Sequence, residues 1–339
     1  MTGVDLEPPT DLQALDEIAG FRTRRTNFGD RMDFFAPGLK RWETREWRPG
    51  NSRRFLPVSV TGDACALQCD HCQSKVLKGM ISVAGGVDLF ERARRLQAEG
   101  TDGILVSGGS TRTGGVPLAR HLDAMGRIRD ELGMQVVVHS GVADATLARG
   151  LADVGVDAVM LDIIGADETI REVYHLDLTT DDFERSLAVL AEHDLRIIPH
   201  IVLGMHYGRF LGEQHALEMI ARYPVSTLIL VVLVPLVGTP MESVPPPPLE
   251  DVVEFFAVSR QTLPTTTINL GCGRPMGAMK TKLDMAAIDN GLNGIAYPAD
   301  GAIAYARRRG LETNLYEYCC SMTWAGEPGQ AFREIVVDL

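Results

Sequence analysis

Eight short apolar strands alternating with eight helical stretches make this chain an α/β protein, and the arrangement expected is a (βα)8 barrel of the TIM type. Three observations carry that reading. Each apolar run is unbroken rather than alternating, as strands buried on both faces of a parallel sheet require. A helical stretch follows each run. The regular region, residues 57–310, spans close to the roughly 250 residues such a barrel needs. A doubly wound open sheet would alternate similarly, but the count of eight favours the barrel. In either architecture the functional groups collect just beyond the carboxyl ends of the strands.

Residues 1–56 are polar and broken, with a basic stretch at 22–25 and a mixed aromatic and charged stretch at 41–49; they read as an N-terminal extension packed on the main domain. The first strand is 58–61, followed by a cysteine-bearing loop and helical residues 73–79. A helix over 88–100 has Asp88 as its N-cap and Gly100 as its stop. Strands are then expected at 103–107, 135–139, 158–162, 196–203, 226–234, 267–270 and 294–296, with helices at 117–132, 143–155, 180–193, 211–223, 249–263, 279–291 and 300–310. The barrel domain is expected to run over 57–321, with a short C-terminal tail at 322–339.

Composition excludes several classes. The chain has 339 residues, of which 45% are hydrophobic and 23% charged, enough for one large or two ordinary domains. A net charge of −12 argues against nucleic-acid binding by phosphate neutralisation. No apolar run reaches the length of a membrane span, and the first residues lack the basic and apolar regions of a signal peptide. Six cysteines, unevenly clustered, do not read as a disulfide framework, so a reducing cytoplasm is expected.

The chemistry concentrates after the first strand, where Cys65, Cys69 and Cys72 stand in Cys-x3-Cys-x2-Cys spacing. Three thiolates on a loop that wraps back on itself ligate three corners of a cubane iron–sulfur cluster and leave the fourth iron without a protein ligand. That open position suits catalysis, since an iron with a vacancy binds a substrate and delivers an electron to it. A zinc site lacking its fourth ligand, with His71 nearby, is the competing reading; no second ligand pair follows at zinc spacing. Unrelated buried thiols are the plain alternative.

Cys65, Cys69 and Cys72 resemble the signature of the radical S-adenosylmethionine enzymes, with His71 standing where that family carries an aromatic ring. The resemblance implies a [4Fe–4S] cluster on these three cysteines, with S-adenosylmethionine on its fourth iron. It implies a cofactor-binding role for Gly108, Gly109 and Ser110 after the second strand, where the family's glycine motif binds the amino group. Asp162 at the end of the fourth strand is a candidate for ribose hydroxyls, with a helix-capping role equally plain. The fifth-strand segment carrying His200, Gly204 and His206 resembles the adenine-contacting segment, although lone histidines are more often structural.

Gly238-Thr239-Pro240-Met241, the Gly273-Arg274 step and the Asp289-to-Ile295 pattern narrow the resemblance to biotin synthase over residues 57–310. In that enzyme an arginine at the place of Arg274 adjoins an auxiliary cluster whose cysteines lie on strands two, three and five. Here those strand ends carry Ser107, His139-Ser140 and Pro199-His200, so that site is absent and dethiobiotin is not the expected substrate. Cys272 and the adjacent Cys319 and Cys320 remain, either as free thiols or as ligands of a second cluster with Arg274 or Ser321 beside them. With them the chain resembles one component of the split, two-protein lipoyl synthases. The activity so implied is sulfur insertion into an octanoyl chain on a protein lysine, by a 5′-deoxyadenosyl radical and sulfur from the second cluster. The implied partners are an octanoylated lipoyl domain or carrier protein, a second radical S-adenosylmethionine subunit, and a ferredoxin- or flavodoxin-type electron donor. A different reaction on a small molecule and a non-catalytic iron–sulfur scaffold are the rival readings.

Overall fold

The computed structural model describes residues 18–50 and 53–323. Its strands are β1 (Arg31–Phe35), β2 (Phe55–Ser59), β3 (Ile81–Ser82), β4 (Gly103–Ser107), β5 (Gln135–His139), β6 (Ala158–Asp162), β7 (Ile197–Leu203), β8 (Thr227–Val232), β9 (Thr267–Leu270), β10 (Gly294–Ala296) and β11 (Glu312–Tyr316). The helices are α1 (Ala19–Phe28), α2 (Leu89–Ala98), α3 (Leu122–Leu132), α4 (Ala145–Asp153), α5 (Asp167–Glu172), α6 (Thr180–Glu192), α7 (Glu213–Ile220), α8 (Leu249–Thr262), α9 (Ala278–Asp289) and α10 (Ala302–Arg308). All eight expected strands form, each within three residues of its expected bounds. The expected helix at 88–100 starts at Asp88, whose side chain accepts from Glu91 N at 2.9 Å.

The strands make one parallel sheet in the order β11-β1-β10-β9-β8-β7-β6-β5-β4-β2-β3, which wraps into a partial barrel. Closure differs from the simple eight-strand expectation. β1, drawn from the segment read as an extension, pairs between β10 and β11, so the last expected strand does not meet the first. Its apolar run was short and flanked by charges, which hid it. The seam is bridged instead by Gly38 N donating to Phe55 O at 3.1 Å and by Arg54 Nε on the buried Glu317 at 2.9 Å. α1 precedes β1 and lies against the end of α9, where Gly20 and Gly291 allow backbone contact. The Asp289-to-Ile295 pattern proves structural: Asp289 accepts from Tyr305 and Arg309, and Asn293 Oδ1 accepts from Ile268 N.

Side chains alternate with period two, so pairing register carries one face around the whole wall. Asp162 pairs with His200, His200 with Ile229, Ile229 with Asn269, Asn269 with Gly294, and Gly294 with Asp33. These residues all face inward. Asn269 Nδ2 donates to Cys320 O at 2.7 Å, and Thr227 Oγ1, on the same face, lies 2.9 Å from Thr323 Oγ1. The chain after β11 therefore turns back into the barrel and runs toward its amino-terminal end, with Tyr318, Cys320, Ser321 and Met322 buried. Residues 1–17 and nearly all of the 322–339 tail lie outside the described residues. Among the described residues no helix is long and apolar enough to cross a membrane.

The α1 contact gives a test of sign. In an open helix position Gly→Ala gains about 1 kcal/mol. A Cβ on Gly20 would stand 2.5 Å from Asn290 O, a backbone atom that cannot swing aside. Gly20→Ala is expected to lose about 1–3 kcal/mol by overpacking, read as a lowered midpoint in urea unfolding.

Candidate active site

The cysteine loop leaves β2 and coils at once. Cys72 N and Gln73 N both donate to Cys69 O, at 3.1 and 2.9 Å, and Gln68, Gln73 and Ser74 take left-handed φ of 51°, 44° and 58°. Asp70 fastens the coil: the Tyr207 hydroxyl donates to it at 2.8 Å, His175 Nε2 lies 2.9 Å away, and its own N–H donates to Val173 O. The glycine loop after β4 closes over it. A Cβ on Gly109 would stand 2.0 Å from Ala64 O and 2.6 Å from Cys65 Cα, so only glycine fits there. Ala66 N donates to Ser110 O at 2.9 Å. The small residues thus serve first to seat the cysteine loop, a reason that the sequence alone did not show.

All three cysteines are free thiols, Cys69 and Cys72 buried and Cys65 half-buried. Cys69 and Cys72 share one hydrogen bond, which, with help from His71, holds Cys72 down to about 4 and pushes Cys69 up. A thiolate is favoured within the set before any ligand arrives, as metal binding requires. The His71 ring lies against Tyr174, centroids 5.2 Å apart at 52°, as a planar ring in the family's aromatic position would. The His71 Nδ1 atom is buried without a partner. Among the described residues no three Cys, His, Asp or Glu side chains are drawn tightly enough for a single metal ion. A larger polynuclear group suits three thiols spread around a coil.

A cavity of about 410 Å³ opens beside this loop, lined by the three cysteines, Gly108, Gly109, Ser110, His139 and Asp162, with Cys272 on another side. Burial would raise the Asp162 carboxyl, but His139 at 3.7 Å, with His200 and His71 beyond, holds it at about 2. Burial, with His139 adding to it, lowers His200 to about 4; its ring meets that of His139 edge-on at 5.7 Å, and its Nδ1 lies 3.1 Å from Ile198 O. His200, Gly204 and His206 lie outside the cavity lining. Gly204 takes φ 77° against Pro247, and its N–H donates to Glu213. His206 is buried against Thr169 Oγ1 at 3.2 Å.

The second sulfur set comes from the loop after β9 and from the inserted C-terminal segment. Cys272 is open to the cavity yet enclosed by protein; burial and Cys319 push its thiol up, while Lys40 and Arg274 pull it down. A hydrogen bond shared with Cys320, and the Ser321 hydroxyl beside it, lower Cys319 to about 7. Ser321 Oγ is buried beside the Cys319 thiol. Three sulfurs and this hydroxyl make a donor set that would suit an auxiliary cluster. Arg274 is fully engaged elsewhere. Its guanidinium donates to both oxygens of the buried Asp284 (2.7 and 3.1 Å), to Gly271 O at 2.7 Å and to Tyr297 O at 3.1 Å. It braces the Cys272 loop in this state rather than facing a ligand.

Sequence reasoning missed Asp70, Tyr174, Lys40 and Asp284. Asp70 lies between two motif residues and offered a weak signal; Tyr174 and Lys40 are brought in from distant loops and Asp284 from α9.

A wrapped parallel sheet with a three-cysteine loop at the carboxyl end of β2 defines a class of iron–sulfur proteins. Residues 59–222 match the model of the Radical SAM superfamily, and the chain is similar to biotin synthases. It is 29% identical to the biotin synthase of Chlorobium phaeobacteroides, over 64% of this chain and 67% of the relative. It is 25% identical to that of Halorhodospira halophila, over 74% and 77%. The fold is shared with methylornithine synthase (15% identity, TM-score 0.54, 86% of this chain and 79% of the other). It is shared also with the FeFe-hydrogenase maturase of Carboxydothermus hydrogenoformans (14%, TM-score 0.58, 90% and 73%).

Two outcomes follow from the geometry. Gly109→Ala must displace the cysteine loop, so anaerobic reconstitution is expected to load less iron per chain while far-ultraviolet circular dichroism stays that of the parent. His200, held neutral to about 4 against 6.5 when unfolded, takes up its proton first in the unfolded chain. Stability therefore falls as pH drops from 6.5 to 4 and this contribution is flat below. In His200→Gln, denaturant titrations are expected to show a shallower slope across that window.

Proposed function

We propose that this protein inserts sulfur into an unactivated alkyl C–H bond, acting as a lipoyl synthase on a protein-bound octanoyl chain. Its match to the Radical SAM superfamily model and its similarity to biotin synthases support the reaction class. The observation that carries the finer reading is the placement of Cys272 on the cavity that Cys65, Cys69 and Cys72 also line. The inner ends of β4, β5 and β7 carry no cysteine, so a sulfur source on the second set suits a substrate other than that of biotin synthase.

Cys65, Cys69 and Cys72 would hold the [4Fe–4S] cluster, and Cys272, Cys319 and Cys320, with Ser321 beside them, the auxiliary one. When bound, the cluster and S-adenosylmethionine supply a radical able to take hydrogen from an alkyl carbon, chemistry beyond acid–base groups. The chain's own part is placement. Gly108 to Ser110 offer backbone groups to the amino acid moiety of the cofactor, and the ionised Asp162 suits ribose hydroxyls. The apolar wall, Leu67, Val142, Leu176 and Phe183, excludes water around a hydrocarbon chain. Arg274 and Asp284 hold the Cys272 loop toward the cavity. A ferredoxin- or flavodoxin-type protein would donate electrons, and a second radical S-adenosylmethionine subunit would add the other sulfur.

His139 and Asp162 on the cavity wall, with His200 behind them, favour a second reading, a small polar substrate in the same cavity.

Anaerobic reconstitution with iron and sulfide decides between them. The parent is expected to take up about eight irons and Cys272→Ala about four, with both forming 5′-deoxyadenosine. Only the parent should add about 32 mass units, one sulfur, to an octanoyl-lysine peptide, as conversion of C–H to C–SH requires. An unchanged iron count in the variant removes the second cluster and leaves the small-molecule reading.

A further inference from the structure

The cavity mouth carries most of the large apolar side chains that the described surface exposes. Val237 is 86% exposed, Met276 60%, Val76 59% and Leu39 37%. Leu39 and Val76 line the cavity itself. Gly238, beside Val237, touches the Lys75 ammonium next to Val76, since a Cβ there would stand 2.9 Å from Lys75 Nζ. Met276 follows the Cys272 loop. These four stand on the loops after β1, β2, β8 and β9, at the carboxyl-end rim of the sheet, with Leu39 and Val76 on the opening itself, a collar that is more than scattered surface apolarity.

One flank of this rim is basic, although Glu242, which accepts from Gly238 N, stands beside Val237. The protein carries a net −12. Yet Lys40, Arg41 and Arg48, with Trp42 and only one carboxylate, Glu43, line a second pocket of about 340 Å³ beside the mouth. Lys40 continues it over the Trp42 and Tyr297 rings, at 5.1 and 4.3 Å. Lys78 is exposed on the other side, one residue beyond the buried Leu77 of the cavity lining.

We infer that this collar and its cations are the docking surface for a small acidic protein domain, which passes its acylated lysine arm through the mouth. The inference rests on the acyl-chain reading above and adds to it the surface that reads the carrier. An apolar collar with a cationic flank matches a partner whose acyl-lysine stands on a surface of opposite sign, where complementary charge speeds encounter and fixes orientation. A free fatty acyl group would need the cavity alone.

The test compares two substrates on reconstituted protein. An octanoylated acidic lipoyl domain and a short octanoyl-lysine peptide are each titrated against the parent, the Arg41→Glu/Arg48→Glu/Lys78→Glu variant and Val237→Asp. Domain affinity is expected to fall about tenfold in the charge-reversed variant, with a weaker salt dependence, and severalfold in Val237→Asp. Turnover of the peptide should match the parent in both, which also shows that they fold. Parent-like domain affinity in both variants, or equal losses on domain and peptide, overturns the docking surface. A parent that sulfurates the peptide while domain binding ignores the variants overturns the surface alone. A parent whose domain binding is lost in the variants, but which forms no C–S bond on either substrate, keeps the surface and overturns the acyl chemistry.

Discussion

Parallel pairing puts every strand's last inward-facing residue at one rim, and this constraint governs everything above it. Ser107, His139 and Asp162 reach that rim as the last inward-facing residues of β4, β5 and β6, and His200, paired with Asp162 in the middle of β7, lies level with them, because β4 to β7 run side by side in continuous register. A shift of one residue in any pair would turn its member of the set outward into the helical layer. The unbroken apolar runs hold the register, since both faces of each strand are buried and a slipped strand has no polar side to offer water.

The cysteine loop and the glycine loop depend on one another. Gly109 lies so near Ala64 and Cys65 that any side chain would force them apart. Asp70 then pulls the far side of the coil toward Val173, His175 and Tyr207. Left-handed backbone at three non-glycine residues has a cost, which these contacts offset. The result is a loop whose sulfurs are positioned before a cluster arrives.

The second sulfur set is held by a different device. Asp284 is fully buried and takes hydrogen bonds from Arg274, Lys280 and Ala299 N. Breaking such a buried pair costs about 3–5 kcal/mol, enough to tie the Cys272 loop to α9 and to the loop after β10. The C-terminal segment reaches the same place from inside the barrel. Asn269 anchors it at Cys320 O, so two thiols 47 residues or more beyond Cys272 in sequence meet it in space.

The strands, most helices and the three-cysteine loop were legible from the sequence, because burial on both faces and short-range spacing are local properties. His139 and His200 were visible as strand ends, and their contact with Asp162 followed from adjacency. The ion pair of Arg274 was not legible because its partner, Asp284, lies on the following helix, and no local pattern marks a buried ion pair. β1 escaped because its place between β10 and β11 is settled by a pairing some 260 residues away. What the chain's residues determined alone is a parallel barrel with a cluster-binding loop at its mouth. Only tertiary structure decided that the C-terminal segment enters the barrel and sets a second group of sulfurs near the first, since no spacing in a sequence encodes which wall a returning chain will meet.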